Sequence, residues 1–310
     1  MTRSRLALLL PLLAGACDRG AWWWGKFDAP EPGSIAAFHA AAMGSTAPAV
    51  PNASDLAPVL DSCWIERLYG SYGSLPQTDP QWMWEWNSAL HAWDVKSYYL
   101  LADPAWIEDS APLIGLLDQR IGWWTKAPVG LTPNAFFDGL HLDLEPVQFP
   151  ACKTATLDPV ACRALHDGLL QTITDVRSWI DANASYLELY VDLHHWTDVV
   201  SGGRVDWSTG LSTDPATNRT AWYTQLAAQV DGITVMAYHP NPVTLVSRVA
   251  WEFANVPTEV RVGMDVDDYA GIPFNGTDGL MDVALGLELG EGQRVDVHRF
   301  NDLVVAGGCL

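Results

Sequence analysis

Residues 137–146 read Phe-Asp-Gly-Leu-His-Leu-Asp-Leu-Glu-Pro. Leu140, Leu142 and Leu144 alternate with His141, Asp143 and Glu145, which is the period of a β-strand. A half-buried strand of an open sheet turns its leucines to the core and its charges to water. A parallel strand covered by helices does otherwise: its apolar face meets the helices and its other face lines an interior. Three ionisable groups therefore stand either in bulk water or inside something closed. The rest of the chain decides between the two.

Short β-like runs alternate with helix-like runs along the sequence. The strand candidates are Ala21–Gly25, Trp64–Tyr69, Val95–Leu101, Gly139–Glu145, Leu187–Leu193, Gly232–Tyr238, Val260–Asp265 and Val295–Phe300. Between them lie Ser34–Met43, Gln81–Trp93, Trp106–Trp124, Pro159–Ala182, Asn218–Val230, Val243–Ala254 and Asp278–Leu289. The helical runs carry apolar residues three and four apart, as in Leu165, Leu169, Ile173, Val176 and Ile180. Strict alternation calls for parallel strands joined by helical crossovers, and eight of them predict an α/β fold of the (β/α)8 TIM-barrel type. An open doubly wound sheet is the alternative. It would want a Gly-rich turn after its first strand, where Ala21-Trp22-Trp23-Trp24-Gly25-Lys26-Phe27 stands instead.

In such a barrel Leu140, Leu142 and Leu144 pack outward on the helices, while His141, Asp143 and Glu145 climb the interior toward the C-terminal mouth. Glu145, the last of them before Pro146, falls where barrel enzymes place catalytic groups. Carboxylates two residues apart on one strand lie ~6.5–7 Å apart at their Cα atoms. Both cannot ionise cheaply in a dry interior, so the expectation is a protonated Glu145 above an ionised Asp143. The sixth strand ends in Met236-Ala237-Tyr238-His239 at the same mouth.

The two ends of the chain bear on compartment. Arg3 and Arg5, the apolar run Leu6–Leu13 and then Ala14-Gly15-Ala16-Cys17 have the order of a secretory signal closing on a lipobox. The expectation is a signal over residues 1–17 with lipid on Cys17, and one barrel domain over 18–310. That makes an exported, lipid-anchored protein of the cell envelope, facing the periplasm or the exterior, and a monomer. A net charge of −20 excludes a nucleic-acid partner and adhesion to anionic lipid, leaving the lipid on Cys17 as the membrane contact. With Cys17 used, Cys63, Cys152, Cys162 and Cys309 suggest two disulfides with three possible connectivities, among which Cys152–Cys162, closing a local loop, with Cys63–Cys309 is preferred. Most of the 16 tryptophans are expected in the core, with a few as stacking faces for a sugar ring; Trp24 and Trp196, near strand ends, are the candidates.

Together, Asp138, His141, Asp143 and Glu145 on the fourth strand and Met236, Tyr238 and His239 on the sixth resemble glycoside hydrolase family 18, the chitinases and endo-β-N-acetylglucosaminidases. That family carries Asp-x-x-Asp-x-Asp-x-Glu and Met-x-Tyr-Asp at these places. The resemblance implies a polysaccharide or oligosaccharide substrate containing N-acetylhexosamine or a related sugar, and no cofactor. It implies Glu145 as general acid to the glycosidic oxygen, with Asp143 and Tyr238 orienting and stabilising the substrate's N-acetyl group. Two family aspartates are replaced here, by His141 and His239, and the family's eighth-strand tryptophan has no counterpart in Val295–Phe300. His141 is expected to hold Asp143 ionised by a charge-assisted hydrogen bond. His239 is expected on the pocket wall, and Asp192 and His194, ending the fifth strand, beside the adjacent subsites.

Three other readings use the same residues. Asp192, His194, Asp265, Asp267 and His298, with His141, Asp143, Glu145 and His239, could ligate zinc or manganese in a barrel hydrolase. A barrel with aromatic walls could bind a glycan without cleaving it. A two-carboxylate glycosidase would pair Glu145 with Asp265 or Asp267 as nucleophile and accept sugars lacking an N-acetyl group.

Overall fold

The computed structural model describes residues 19–23, 60, 63–122, 136–269, 283–284, 286–288 and 294–298. Eight parallel strands close into a barrel in chain order: β1 Arg19–Trp23, β2 Ile65–Gly70, β3 Lys96–Leu101, β4 Gly139–Leu142, β5 Glu188–His194, β6 Gly232–Met236, β7 Glu259–Asp265 and β8 Arg294–His298. The last strand meets the first through Gly20 opposite Asp296 and Ala21 opposite Val297, so no edge is left open. Around it lie α1 Pro80–His91, α2 Ala111–Arg120, α3 Pro159–Asn183, α4 Pro215–Ala227 and α5 Pro242–Asn255. The fold is the (β/α)8 barrel that the alternation predicts.

Local chemistry sets where the helices begin. Four of them start on an Asp-Pro or Asn-Pro pair: the side chains of Asp79, Asp158, Asp214 and Asn241 accept from the otherwise unpaired N–H groups of the first turn. The following proline has no N–H to leave unpaired there. Reading these caps moves α4 and α5 to starts at Pro215 and Pro242, ahead of the apolar periodicity at Asn218 and Val243. The expected helix Trp106–Trp124 is broken in two, a 3-10 turn over Pro104–Ile107 and then α2, because Pro112 restarts the chain after Ser110. The expected helix Ser34–Met43 lies outside the described residues.

The strand that opened the reading behaves as a covered barrel strand. Leu140, Leu142 and Leu144 are at most 1% exposed and belong to the layer between strands and helices. Along β1 the same alternation puts Ala21 and Trp23 in that outer layer and Trp22 inside, against Tyr69, Tyr98, Leu100 and Tyr190. This interior is therefore aromatic where barrels usually carry branched aliphatics. Glycines below make room for the rings. A Cβ on Gly20 would sit 2.5 Å from the Tyr69 hydroxyl, and one on Gly232 would sit 2.3 Å from the Tyr190 ring. β1 also begins two residues before the expected Ala21, on a buried arginine: Arg19 donates to both carboxylate oxygens of Glu288, at 2.6 and 2.7 Å.

The tryptophans divide as composition suggests. Trp22, Trp23, Trp86, Trp207 and Trp222 are at most 2% exposed. Cys152 and Cys162 form the expected disulfide, tying the loop after β4 to the first turn of α3. Cys63 is disulfide-bonded as well, and its expected partner Cys309 lies outside the described residues. Cys17 and the rest of the expected signal also lie outside them.

Candidate active site at the C-terminal mouth

Below the mouth, the barrel interior is closed by paired charges. Arg261 donates to Asp296 at 2.8 Å and to Glu259 at 2.7 Å, and Thr234 and Tyr69 complete the shell of Asp296 at 2.7 and 3.2 Å. Nearer the opposite end, Lys96 meets Glu188 at 2.8 Å, and Arg67 lies 3.7 Å from Glu188 and 3.8 Å from Glu259.

At the mouth a cavity of about 520 Å³ opens, lined by Asp143, Glu145, Gln148, Tyr238 and His298, with Pro104 and Met236 as apolar wall. Three adjacent features of the chain build its acidic side. The Asp143 N–H extends the β4 ladder by donating to Leu101 O at 3.0 Å. Glu145 is still extended, and Pro146 then turns the chain into one 3-10 turn over Pro146–Gln148. That turn brings Gln148 back, so its amide donates to Glu145 Oε2 at 2.6 Å. His194, at the end of β5, places Nε2 3.2 Å from Glu145 Oε1, and its ring stacks on Trp196 at 5.0 Å. Across the cavity the Tyr238 ring stacks on His298 at 5.1 Å, and His298 Nδ1 contacts Asp265 Oδ2 at 3.1 Å.

The electrostatics reverse the expected order of protons. Burial pushes the Asp143 carboxyl well above its usual range, and the charges of Asp192 and Glu145 push the same way. Burial also presses Glu145 upward, but the His194 and Gln148 contacts outweigh it and hold this carboxyl below its ordinary value. The neutral form is thus favoured at Asp143 and the charged form at Glu145. Glu145, nearer solvent, accepts from Gln148 and has the His194 ring 3.2 Å away, whereas Asp143 Oδ1 is shielded and has no hydrogen-bond partner. Burial raises the Tyr238 phenol far above its normal range, with the surrounding carboxylates adding to the shift, so it is a neutral donor across the working pH range.

Several expected neighbours stand elsewhere. His141 does not bond Asp143: it is fully buried, and its Nε2 lies 2.9 Å from Asp192 Oδ2. The register brings β5 beside β4, and the longer reach of an imidazole takes it across to that strand. Asp192, 3% exposed, is in the floor with His141 and lines no subsite. His239 faces its own loop, its Nδ1 accepting from the Asn241 N–H at 3.0 Å, away from the cavity lining. Trp196 is 9% exposed, with His194 and Arg204 against its ring, so it braces His194 and presents no open face. Trp24 and the side chain of Asp267 lie outside the described residues. Asp265 is held by His298 and is absent from the cavity lining.

The donors proposed for a metal are thus split into pairs: His141 with Asp192, His194 with Glu145, and His298 with Asp265. Among the described residues, the group of three or more potential ligands within 4.8 Å of one another is Cys152, Cys162 and His166, whose sulfurs are joined to each other. Sequence reasoning missed Gln148 and Trp22. Gln148 follows Glu145 by the three residues of a 3-10 turn. Trp22 has the inward parity of Gly20, which the close run of three tryptophans hid.

No protein-family model matches the chain, and no curated protein matches it. Among solved structures, a β-glucosidase from Thermotoga maritima matches at TM-score 0.50 and 8% identity, covering 92% of this chain and 87% of that one. A Group II chitinase catalytic domain from Ostrinia furnacalis matches at TM-score 0.43 and 12% identity over 80% of this chain, which spans 64% of that domain's length. A chitinase from Chromobacterium violaceum matches at 0.44 and 12%, over 81% and 69%. At such identities the likeness is one of fold: this chain is a divergent TIM barrel whose structural neighbours are chitinases and a β-glucosidase.

Proposed function

We propose that this barrel is a glycosidase, with Glu145 as the general acid and Asp143 and Tyr238 as the groups that orient the reacting sugar. One observation carries the reading: an ionisable row on β4 and a neutral phenol after β6 converge on a single 520 Å³ cavity at the mouth where barrel enzymes work. A proton must reach Glu145 before the glycosidic oxygen can receive one. A sugar filling the cavity displaces water from Glu145, which raises its pKa and favours that proton. Asp143, which lines the same cavity as Tyr238, must pass its proton to Glu145 before positive charge develops on the ring, since its carboxylate is the form that stabilises that charge. An N-acetylhexosamine-containing polysaccharide is the proposed substrate, since an acetamido group suits the adjacent Asp143 and Tyr238. The test is turnover of chitin oligosaccharides and a nitrophenyl-glycoside panel by wild type and Glu145→Gln. A loss of at least ~100-fold is expected, and equal turnover by the variant refutes the acid role.

One observation favours a second reading, a barrel that binds glycans without cleaving them. His194 and Gln148 together hold Glu145 ionised, which suits recognition of a hydroxyl better than proton donation. Binding of chitin oligosaccharides with no turnover by wild type would select it. We further propose export with lipid on Cys17; metabolic labelling with a fatty acid, lost in Cys17→Ala, is the check.

A further inference from the structure

The cavity takes up the C-terminal end of the barrel, and the N-terminal end, its base, carries a surface of another kind. Among the described residues, the exposed aromatic side chains are Trp64, Trp93 and Tyr186, open to solvent by 47, 46 and 52%. All three stand in turns that enter strands: Trp64 directly before β2, Trp93 three residues before β3, and Tyr186 two before β5. Phe136, three before β4, packs on Tyr186 at 6.2 Å. Since β2, β3, β4 and β5 are neighbours in the barrel, the four rings follow one arc of its base. The turns into β6 and β7 present Asp231 and Thr258 there instead. Exposed aliphatic side chains, such as Leu211 and Val243, lie past the opposite ends of the strands.

The base holds these rings outward against the preference of the backbone. Trp64 has a φ of 57°, in the left-handed region that bulky side chains avoid, and Asp94, next to Trp93, has 59°. Strain of this kind persists only where the surrounding structure enforces it, and it clusters at functional surfaces. Beside Trp64 lies Arg19, the first residue of β1, its guanidinium 5.2 Å from the indole ring. Arg19 is itself locked, donating to Cys63 O at 3.1 Å as well as to Glu288. The chain therefore joins the barrel at a fixed point of the base, next to Trp64. Cys17 stands two residues upstream of it, and two residues reach at most about 7 Å.

We propose that the arc running from Trp64 through Trp93 to Phe136 and Tyr186 docks on a lipid bilayer, so that the barrel stands on its base with the cavity facing away. This rests on the reading of Cys17 as the lipid-bearing residue. A lipid there has almost no tether: it enters the bilayer within about 7 Å of Arg19, and the base must meet the headgroups. Indole and phenol rings suit that layer, because each joins an apolar body to a polar N–H or O–H. The mouth then stands on the order of 15–20 Å above the surface, the rise of a tilted strand the length of β5. A glycan would reach the cavity from the aqueous side.

The charges beside the arc select the lipid. Glu66 and Asp94 are exposed next to Trp64 and Trp93, and Lys96 is already bound to Glu188 at 2.8 Å. Acids beside the rings repel anionic headgroups and tolerate zwitterionic ones. Attachment is therefore by ring insertion and is insensitive to salt, unlike attachment by charge. The nearness of Cys17 favours lipid over a second glycan surface as the use of these rings.

The test is quenching of tryptophan emission in the protein as cells make it, reconstituted in vesicles of phosphatidylcholine brominated on its acyl chains. Quenching is expected in wild type, and the double variant Trp64→Phe, Trp93→Phe should lose about half of it or more. It should be equal at about 0.05 and 0.5 M salt. A chain that carries the fatty-acid label on Cys17 yet shows no quenching overturns the docking surface and leaves the anchor standing. Undiminished quenching in the double variant overturns it as well. Where the label is missing, the anchor reading fails by itself, and sedimentation of the unlipidated chain with phosphatidylcholine vesicles decides the surface. Sedimentation weakened about tenfold in Trp64→Ala, Trp93→Ala supports it, and no sedimentation of wild type refutes it. Should the double variants fail to fold, Tyr186→Trp serves: its added indole must raise the quenched emission, and no rise refutes the proposal. Chitin oligosaccharides that shield these rings from iodide, where vesicles do not, would make the base a glycan surface and overturn the lipid.

Discussion

The two ends of the barrel interior are made of the same residue types and balanced in opposite ways. Below, the described interior acids meet cations: Asp296 and Glu259 share Arg261, and Glu188 meets Lys96 and lies near Arg67. At the mouth, Asp143, Glu145 and Asp192 have histidines, amides or an indole N–H for company, and among the described residues no arginine or lysine lines the cavity. Position along one strand separates the two regimes. A buried pair of full charges is rigid, because separating it exposes both to low dielectric. Acids paired with neutral or titratable groups can exchange protons, so the mouth is the end at which protons can move.

The most severe way to break this contrast is to unpair the lower end. Arg261→Met leaves Asp296 buried with only Thr234 and Tyr69, and is expected to destabilise by ~3–5 kcal/mol in urea unfolding. A loss below ~1 kcal/mol would show that the lower pairs are slack and that the two ends are alike. Glu145→Gln should do the reverse, costing at least ~100-fold in turnover, or about 2.7 kcal/mol of barrier, with unfolding little changed because the group is partly solvated.

A third buried acid sharpens the rule from outside the barrel. Glu252 of α5 is fully buried and accepts from the Tyr223 hydroxyl at 3.1 Å, and burial lifts its carboxyl to about 8. A folded-state pKa raised above the unfolded value means that the folded protein holds the extra proton. The contribution is fully present below the unfolded pKa of about 4.5 and is lost as pH rises through 8. Wild type should therefore lose on the order of 2–3 kcal/mol between pH 4.5 and 7, and Glu252→Gln should flatten that slope. Parallel slopes in the two proteins would mean that Glu252 has a cation partner after all. The smallest effect is expected at the cap of α3, where Asp158 accepts from the N–H groups of Val160 and Ala161 at 3.1 Å each. Asp158→Ala should lower stability by ~1 kcal/mol and leave turnover intact, since the disulfide still holds that loop. A drop in turnover instead would join the loop to the mouth.

Much of this was legible without coordinates. Alternation of Leu140, Leu142 and Leu144 with His141, Asp143 and Glu145 gave the parity of the strand, and the eightfold strand–helix alternation of the whole chain identified it as covered by helices on its leucine face. Where the reading went astray, the error concerned partners. His141 was matched to Asp143 because they share a strand, yet its side chain reaches Asp192 on the next one. His239 was matched to the wall because it follows Tyr238, yet its Nδ1 closes a turn on Asn241. Trp196 looked like an open face because it follows a strand end, yet His194 and Arg204 lie against it.

The amino-acid sequence by itself determined the number and order of strands, the parity of each and the arrival of Glu145 and Tyr238 at one end. These depend on periods of 2 and 3.6 residues, which are local properties of the chain. Only the tertiary structure decided that Trp22 of β1 and Asp192 of β5 meet His141 of β4, at separations of 119 residues for the first contact and 170 between Trp22 and Asp192. It also decided that burial favours the neutral form at Asp143. Barrel closure and the stagger of its strands choose cross-barrel neighbours, and those neighbours set the local dielectric and the charges that a carboxyl feels.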